Sequence, residues 1–432
     1  MGKQPGRVVM LVKNSFQYDA RVRKEAASLL AAGHAVTVVA LHVPGVTVRS
    51  ETTAWGLDVV RVPQFWSRRP RWLGPSTATA GSDLVDATAA APTRSGPAAR
   101  ARRLLRRGIR PLLPMARRIN REVVDRRMVR AGAAWAPGVV HAHDLNTLRP
   151  GTRLAHASGA RLVYDAHEYH RARNGMTPRE QQRAGRLEDR LAPRADLLIT
   201  ATDSWADDLA GRWGRRPVVV RNAPARRERV AAVDLHAATG AAADRRLLVY
   251  VGSVQSGRGI EESMAALPLL PDCDLVVIGY GAHGPALRAA AREAGLRNRV
   301  HFLPPVDNEQ VVDWVAGADV GLCLIVNTSF SYYTSLPNKL LDYVQARLPV
   351  VTSDFPEMGR VAREHEVGEV CDPAEPASVA AAVRKVLDGG DAYAGALLTA
   401  SERLTWEAES ARLLAGYRAL AAPERGSGVP LQ

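Results

Sequence analysis

The chain has 432 residues, 46% apolar and 24% charged, enough for two or three domains that each bury a core of their own. No apolar run approaches the roughly 18 to 20 residues that span a bilayer, and residues 8–12, behind Lys3 and Arg7, are too few for the core of a secretion signal, so the cytosol is the expected compartment. Cys273, Cys323 and Cys371 stand far apart without metal or redox spacing, and their odd number gives no disulfide framework; they read as small buried residues.

The formal net charge of +14 is unevenly spread. Residues 94–130 hold 13 arginines against Glu122 and Asp125, so most of the excess belongs to one segment. A nucleic-acid partner is the obvious reading of such a run, but it contains no aromatic residue to stack on bases and no Cys/His finger spacing. Leu104, Leu105, Ile109 and Leu112, then Ile119, Val123, Val124 and Met128, place apolar stripes between the arginines. Basic amphipathic helices broken near Pro111 and Pro114 fit this pattern. They would suit an anionic membrane surface at about 1 kcal/mol per basic residue, or equally a solvated outer face.

In chain order, a strand is expected at 8–12, a helix at 20–32 closed by Gly33, and strands at 35–41 and 59–62, the alternation of a doubly wound parallel sheet. It lapses between 63 and 137, where 67–99 reads as a loop rich in Ala, Gly, Pro, Ser and Thr. It resumes with strands at 139–141, 162–164, 197–200 and 218–221 and helices at 148–157, 178–191 and 204–213. After a polar linker it begins again, with strands at 247–251, 275–278, 300–302 and 320–324 and helices at 259–267, 285–293 and 309–316. A loop–helix–strand unit follows at 336–354, then helices at 378–387 and from about 406 to 420. The division is a first domain at 1–222 with a basic insertion at 63–135, a linker at 223–245, a second domain at 246–400, and a final helix and tail at 401–432.

Open α/β sheets bind ligands at the carboxyl ends of their strands, so polar residues just after strands are the site candidates. His143 and Asp144 follow one strand and His167 follows another. After 247–251 comes the turn GSVQSGRG, from Gly252 and Ser253 to Arg258 and Gly259. Its glycines let backbone approach a ligand, and a guanidinium before a helix N-terminus suits a diphosphate. It lacks Walker spacing, and taken alone such a turn is more often an ordinary strand-to-helix connection. Lys339 and Asp342 open the amphipathic helix of 336–354, where a phosphate can meet free N–H groups and a carboxylate can accept from sugar hydroxyls; a polar helix start under a loop is the plainer alternative. The Asp272-Cys273-Asp274 triplet precedes a strand and is read as structural.

These stretches together resemble the retaining, sugar-nucleotide-dependent glycosyltransferases of family 4. The resemblance rests on NSFQYDARVRKEAASLLAAGHAVTVVA, VVHAHDLN, LVYDAHEYH, ADLLITATDSWADDL, YVGSVQSGRGIEE, LVVIGYGAHGPAL, ADVGLCL and LPNKLLDYVQARLPVV, in that order. It implies the GT-B fold, two Rossmann-like domains facing across a cleft. The implied reaction moves a sugar from a nucleotide diphosphate to an acceptor hydroxyl with retained configuration, in polysaccharide or glycoconjugate synthesis, with no cofactor beyond the nucleotide sugar and no obligatory metal. His167 matches the family's active-site histidine. Arg258 stands where the family has the lysine of a diphosphate-holding pair and Ser253 where it has the arginine, with Lys339 as a substitute charge. Asp342 matches the second of two donor-contacting glutamates and Thr334 occupies the place of the first. Asn14, Ser15 and Phe16 replace a frequent glycine pair. His143 and Asp144 are candidates for the acceptor side, Asp19 and Arg21 for the cleft. The acceptor, lipid-linked or a small natural product, is not legible, although a basic first domain favours the inner face of a membrane. The competing readings are a sugar-nucleotide 2-epimerase of the same fold, a basic nucleic-acid-binding protein, and an inactive binding module.

Overall fold

A computed structural model describes residues 6–64, 113–173 and 175–421. The loop expected at 67–99, residues 94–112 of the basic run, and the tail beyond 421 lie outside them.

Short runs, apolar for the most part apart from the exposed edge Ser50–Thr52, build two sheets. The first comprises β1 (Arg7–Leu11), β2 (Ala35–His42), β3 (Ser50–Thr52), β4 (Asp58–Pro63), β5 (Val139–His143), β6 (Arg161–Ala166), β7 (Leu197–Thr200) and β8 (Val218–Val219). Their spatial order is β3-β4-β2-β1-β5-β6-β7-β8, and β3 alone pairs antiparallel. The second comprises β9 (Arg246–Val251), β10 (Cys273–Ile278), β11 (Val300–Leu303), β12 (Val320–Cys323), β13 (Val350–Ser353) and β14 (Gly368–Cys371), ordered β11-β10-β9-β12-β13-β14 and parallel throughout. Strand order reverses between β1 and β5 and again between β9 and β12, which places one ligand-binding crevice on each lobe.

Apolar residues fill successive strand positions because both faces of each sheet are covered. In β1, Val9 and Leu11 face the layer that holds Leu148 and Leu154, while Val8 and Met10 face the layer that holds Val22 and Leu29. In β9, Leu247, Val249 and Val251 pack on one side and Leu248 and Tyr250 on the other.

The final helix, Trp406–Ala421, does not stay with the second sheet. Leu413 and Tyr417 complete the core of the first, and Trp406 Nε1 donates to Ser28 Oγ at 2.9 Å. Trp406 N donates to Pro224 O at 2.7 Å, and Glu409 accepts from Arg221 N at 2.9 Å. The outgoing and returning passages of the chain therefore lie side by side.

The described part of the basic run departs from a lipid-facing reading. Helix Leu113–Ala133 buries Val124 and Met128 against the first sheet, and Asp125 receives Lys13 at 2.6 Å and Arg149 at 3.0 Å. Its apolar stripe is used mainly inside the lobe, although Ile119 stays exposed. Strand β8 stops at Val219, two residues before the expected end, because Arg221 turns to Glu409 and Asp203. The Asp272-Cys273-Asp274 triplet is tied into structure: Asp272 to Arg384, and Asp274 to Arg245 and His301. All three cysteines are buried and unpaired.

Candidate active site between the two sheets

On the second lobe, the turn after β9 packs backbone against backbone. A Cβ at Gly259, where φ is +89°, would lie 1.9 Å from Leu324 O, and one at Gly279 would lie 2.0 Å from Gly252 O, so only glycine fits. The turn presents Arg258 with its Cζ 4.8 Å from the centre of the Tyr332 ring and its Nε without a hydrogen-bond partner. Beside it, helix Asn338–Gln345 carries Lys339, 8% exposed, its Nζ 3.2 Å from the centre of the Tyr250 ring and also unpartnered. Burial, aided by the neighbouring guanidinium, pushes the Lys339 ammonium down to about 7. Burial pushes Asp342 up to about 7, opposed by Lys24 of the first lobe and by Lys339.

Two tyrosines that sequence reasoning passed over build this corner. Tyr250 donates to Ser253 O at 2.7 Å. The Tyr343 hydroxyl meets Val249 O, Leu322 O and Val251 N at 3.1 to 3.2 Å, seating the helix under the crevice between β9 and β12. Their signal was a phenol on an apolar face, of a strand for Tyr250 and of an amphipathic helix for Tyr343.

On the first lobe, β5 ends at His143, and Asp144 adopts φ +64°, ψ 162°, a region that costs a residue with a side chain on the order of 1–3 kcal/mol. The strained turn has a use: Asp144 Oδ1 accepts from the backbone N–H of His167 at 3.0 Å and of Glu168 at 3.3 Å, fixing the turn after β6. The His167 side chain is 14% exposed, with Nε2 3.1 Å from both Asp165 Oδ2 and His143 Nδ1. Beneath lies Arg21, whose Nη2 reaches the two Asp165 oxygens at 3.0 and 2.9 Å and whose Nε lies 2.9 Å from Glu25 Oε1. The His141 and His143 rings stack at 4.1 Å, and Tyr417 is hydrogen-bonded to His141 Nδ1 at 2.8 Å.

Burial shapes the charges of this cluster. It pushes His141 down to about 3 and His143 well below the usual imidazole range. It would lower His167 too, but the Asp165 and Asp144 carboxylates together outweigh it and hold His167 at about 9. Against the same burial penalty, Arg21 and His167 hold Asp165 well below the carboxylate range, whereas burial and the neighbouring Asp165 push Glu25 well above it. Glu25, His143, Asp165 and His167 bring four ligand-type atoms within 4.8 Å, but Arg21 lies against both carboxylates and already supplies a cation there.

Three of the expected site residues are engaged within the protein. Arg21 is 5% exposed and sits under His167, and Asp19 caps helix Ala20–Ala31 through Val22 N while accepting from Asn14 Nδ2 at 2.6 Å. Thr334 is 3% exposed and has its hydroxyl occupied, accepting from Trp205 Nε1 at 2.8 Å and donating to Phe330 O at 2.6 Å, so it joins the lobes instead of facing a ligand. Ser204 N and Oγ add to that join by donating to buried Glu357 at 2.7 and 2.6 Å, and the Tyr169 and Phe330 rings meet at 5.0 Å. Where the family often has a glycine pair after β1, Phe16 itself takes φ +67°.

Two parallel α/β sheets, each with its crevice at the strand ends and joined across a cleft, define the GT-B class of enzymes. Residues 18–225 match the glycosyl transferase 4-like domain and residues 245–389 match glycosyl transferases group 1. The chain belongs to the group 1 glycosyltransferases and is an enzyme of that kind. It is 27% identical to glycogen synthase of Mycobacterium tuberculosis strain H37Rv over 64% of this chain and 69% of that one. It is 28% identical to D-inositol 3-phosphate glycosyltransferase of Xylanimonas cellulosilytica over 65% and 71%. Among solved structures, sucrose-phosphate synthase from Thermosynechococcus elongatus superimposes with a TM-score of 0.70 at 17% identity, covering 96% of this chain and 99% of that one. HepE of Anabaena in complex with UDP-glucose does so with 0.66 at 13%, covering 96% and 100%.

Proposed function

We propose that this enzyme transfers a glycosyl group from a nucleoside diphosphate sugar to an acceptor hydroxyl with retained anomeric configuration. The observation that carries the reading is the pairing of Arg258 and Lys339 at the end of β9: two cations, each with a nitrogen that has no partner in the protein, beside a turn too tight for any side chain. A diphosphate supplies the missing acceptors, each charge-assisted hydrogen bond contributing roughly 1.5 to 3 kcal/mol. The complex of HepE with UDP-glucose and the likeness to glycogen synthase support a donor of this class.

In this reading Arg258 and Lys339 neutralise the charge that grows on the departing diphosphate, Asp342 accepts from donor hydroxyls, and Gly252 and Ser253 line the turn. His167 faces the reacting sugar from the first lobe, with His143 and Asp144 shaping its surroundings. No protein carboxylate is assigned as nucleophile; attack from the leaving-group face, with the phosphate taking the acceptor proton, accounts for retention. The reaction needs no metal or further cofactor. Polysaccharide or glycoconjugate assembly at the inner face of a membrane is the setting we favour. Among the described residues no helix is long and apolar enough to cross a membrane.

Screening nucleoside diphosphate sugars for protection against thermal unfolding tests the donor without needing the acceptor. One sugar nucleotide should raise the melting temperature of the native chain and leave that of Arg258→Ala unchanged; equal protection of both would remove the diphosphate assignment. Product analysis by mass spectrometry and NMR separates transfer from 2-epimerisation, which would convert the donor with no acceptor present.

A further inference from the structure

His167 Nε2 lies 3.1 Å from His143 Nδ1 and 3.1 Å from Asp165 Oδ2, a carboxylate that Arg21 keeps ionised and that can therefore only accept. That nitrogen must carry hydrogen. Nδ1 lies 3.9 Å from Asp144 Oδ2, too far for a direct bond and near enough for the charge to matter. The ring thus has a carboxylate at each end. Arg21 fixes the stronger of the two, binding both Asp165 oxygens from below and taking Val220 O at 2.6 Å with its remaining arm. The Arg21 charge opposes a cation on the ring, and the Asp165 and Asp144 carboxylates offset it; His143 and His141 are buried in stacked contact, and Glu25 shares its surroundings with Asp165 and Arg21.

From this geometry we propose that His167 works as a fixed imidazolium, a cationic hydrogen-bond donor and not a proton acceptor, and that Asp165, clamped by Arg21, is the positioning residue that keeps it so. The proposal rests on the reading of His167 as the first lobe's contact with the sugar nucleotide. With Nε2–H committed inward, Nδ1–H is left for a ligand, where it can donate to a sugar hydroxyl or a phosphate oxygen and add positive charge opposite the departing diphosphate. A ring in this state cannot remove the acceptor's proton, which leaves that task to the leaving phosphate.

The test has two arms. In the intact, ligand-free enzyme carrying 13C- and 15N-labelled histidine, the His167 ring nitrogens should both read as protonated up to about pH 8 and titrate near pH 9. Finding the ring neutral at pH 7.5 overturns the proposal whether or not the chain turns over any donor. In Asp165→Asn, the alkaline limb of the kcat profile should move to lower pH by about one unit or more, the shift that losing a contacting opposite charge produces, with the donor KM little changed. A variant that folds and is slower at every pH by a constant factor, its limb unmoved, assigns Asp165 a structural role only and also overturns the proposal. If Asp165→Asn does not fold, the titration of the native enzyme still decides. Failure to find any accepted donor sinks the function and leaves the charge state standing.

Discussion

Trp205 Nε1 donates to the Thr334 hydroxyl at 2.8 Å, a bond between residues 129 positions apart that closes one lobe on the other. Both side chains are buried, so the indole N–H has no water to fall back on. Thr334→Val keeps the shape and removes the acceptor. It should cost about 1–3 kcal/mol, seen as a lower melting temperature, and should widen the lobes in small-angle scattering. An unchanged radius would mean that the contact does not hold the closed form.

Lys339 trades stability for binding. Its folded-state value near 7, against an ordinary 10.5, means that unfolding takes up a proton between those limits. Native stability from this group therefore rises as pH climbs from 7 to 10.5, and the penalty is fully present below 7. Lys339→Met should raise the melting temperature of the ligand-free enzyme, most at pH 7 and below, and weaken nucleoside diphosphate binding about tenfold or more. Calorimetry in buffers of different ionisation enthalpy should show proton uptake on binding by the native enzyme near pH 8 and less by the variant.

Gly259→Ala places a methyl group where Leu324 O already stands, at a φ of +89°. The turn must shift, at a cost above about 1 kcal/mol. Because Arg258 is the adjacent residue, donor protection in the thermal assay should fall with stability, and restoring the temperature margin by osmolytes should not restore binding.

The closing helix is part of the first lobe's core. Trp406→Ala should destabilise by about 3–5 kcal/mol, as large buried-to-small changes do, and a chain ending at Thr405 should bind hydrophobic dye because the faces of Val22 and Leu29 lose Leu413 and Tyr417. Circular dichroism melts would show the loss.

Much of the fold was legible because the strands are buried on both faces and read as unbroken apolar runs; helix Pro178–Leu191 and strand Leu197–Thr200 agree to the residue. What was missed carries weaker marks. Ser50–Thr52 is an exposed edge with no alternation, and helix Pro356–Glu364 begins right after a strand on a proline that reads as a break. At the site, residue types after strands pointed to His167, Arg258 and Lys339 one at a time. That Arg21 and Glu25 lie under a histidine some 140 positions away is a fact of sheet order, β1 beside β5 beside β6, which local patterns do not encode. The contact of Thr334 was hidden for the same reason: its partner Trp205 comes from the other lobe.

The polypeptide passes between lobes near Pro224 and again near Trp406, and the two passages are stitched together by Trp406 N to Pro224 O and by Arg221 to Glu409. Two adjacent tethers act like the spine of a book: they permit swinging about one line and resist sliding or twisting, which would tear the stitches. Whatever enters the gap therefore meets its partners from the opposite page along a fixed line of approach, so the accuracy of the chemistry is guarded by the seam where the chain crosses between lobes.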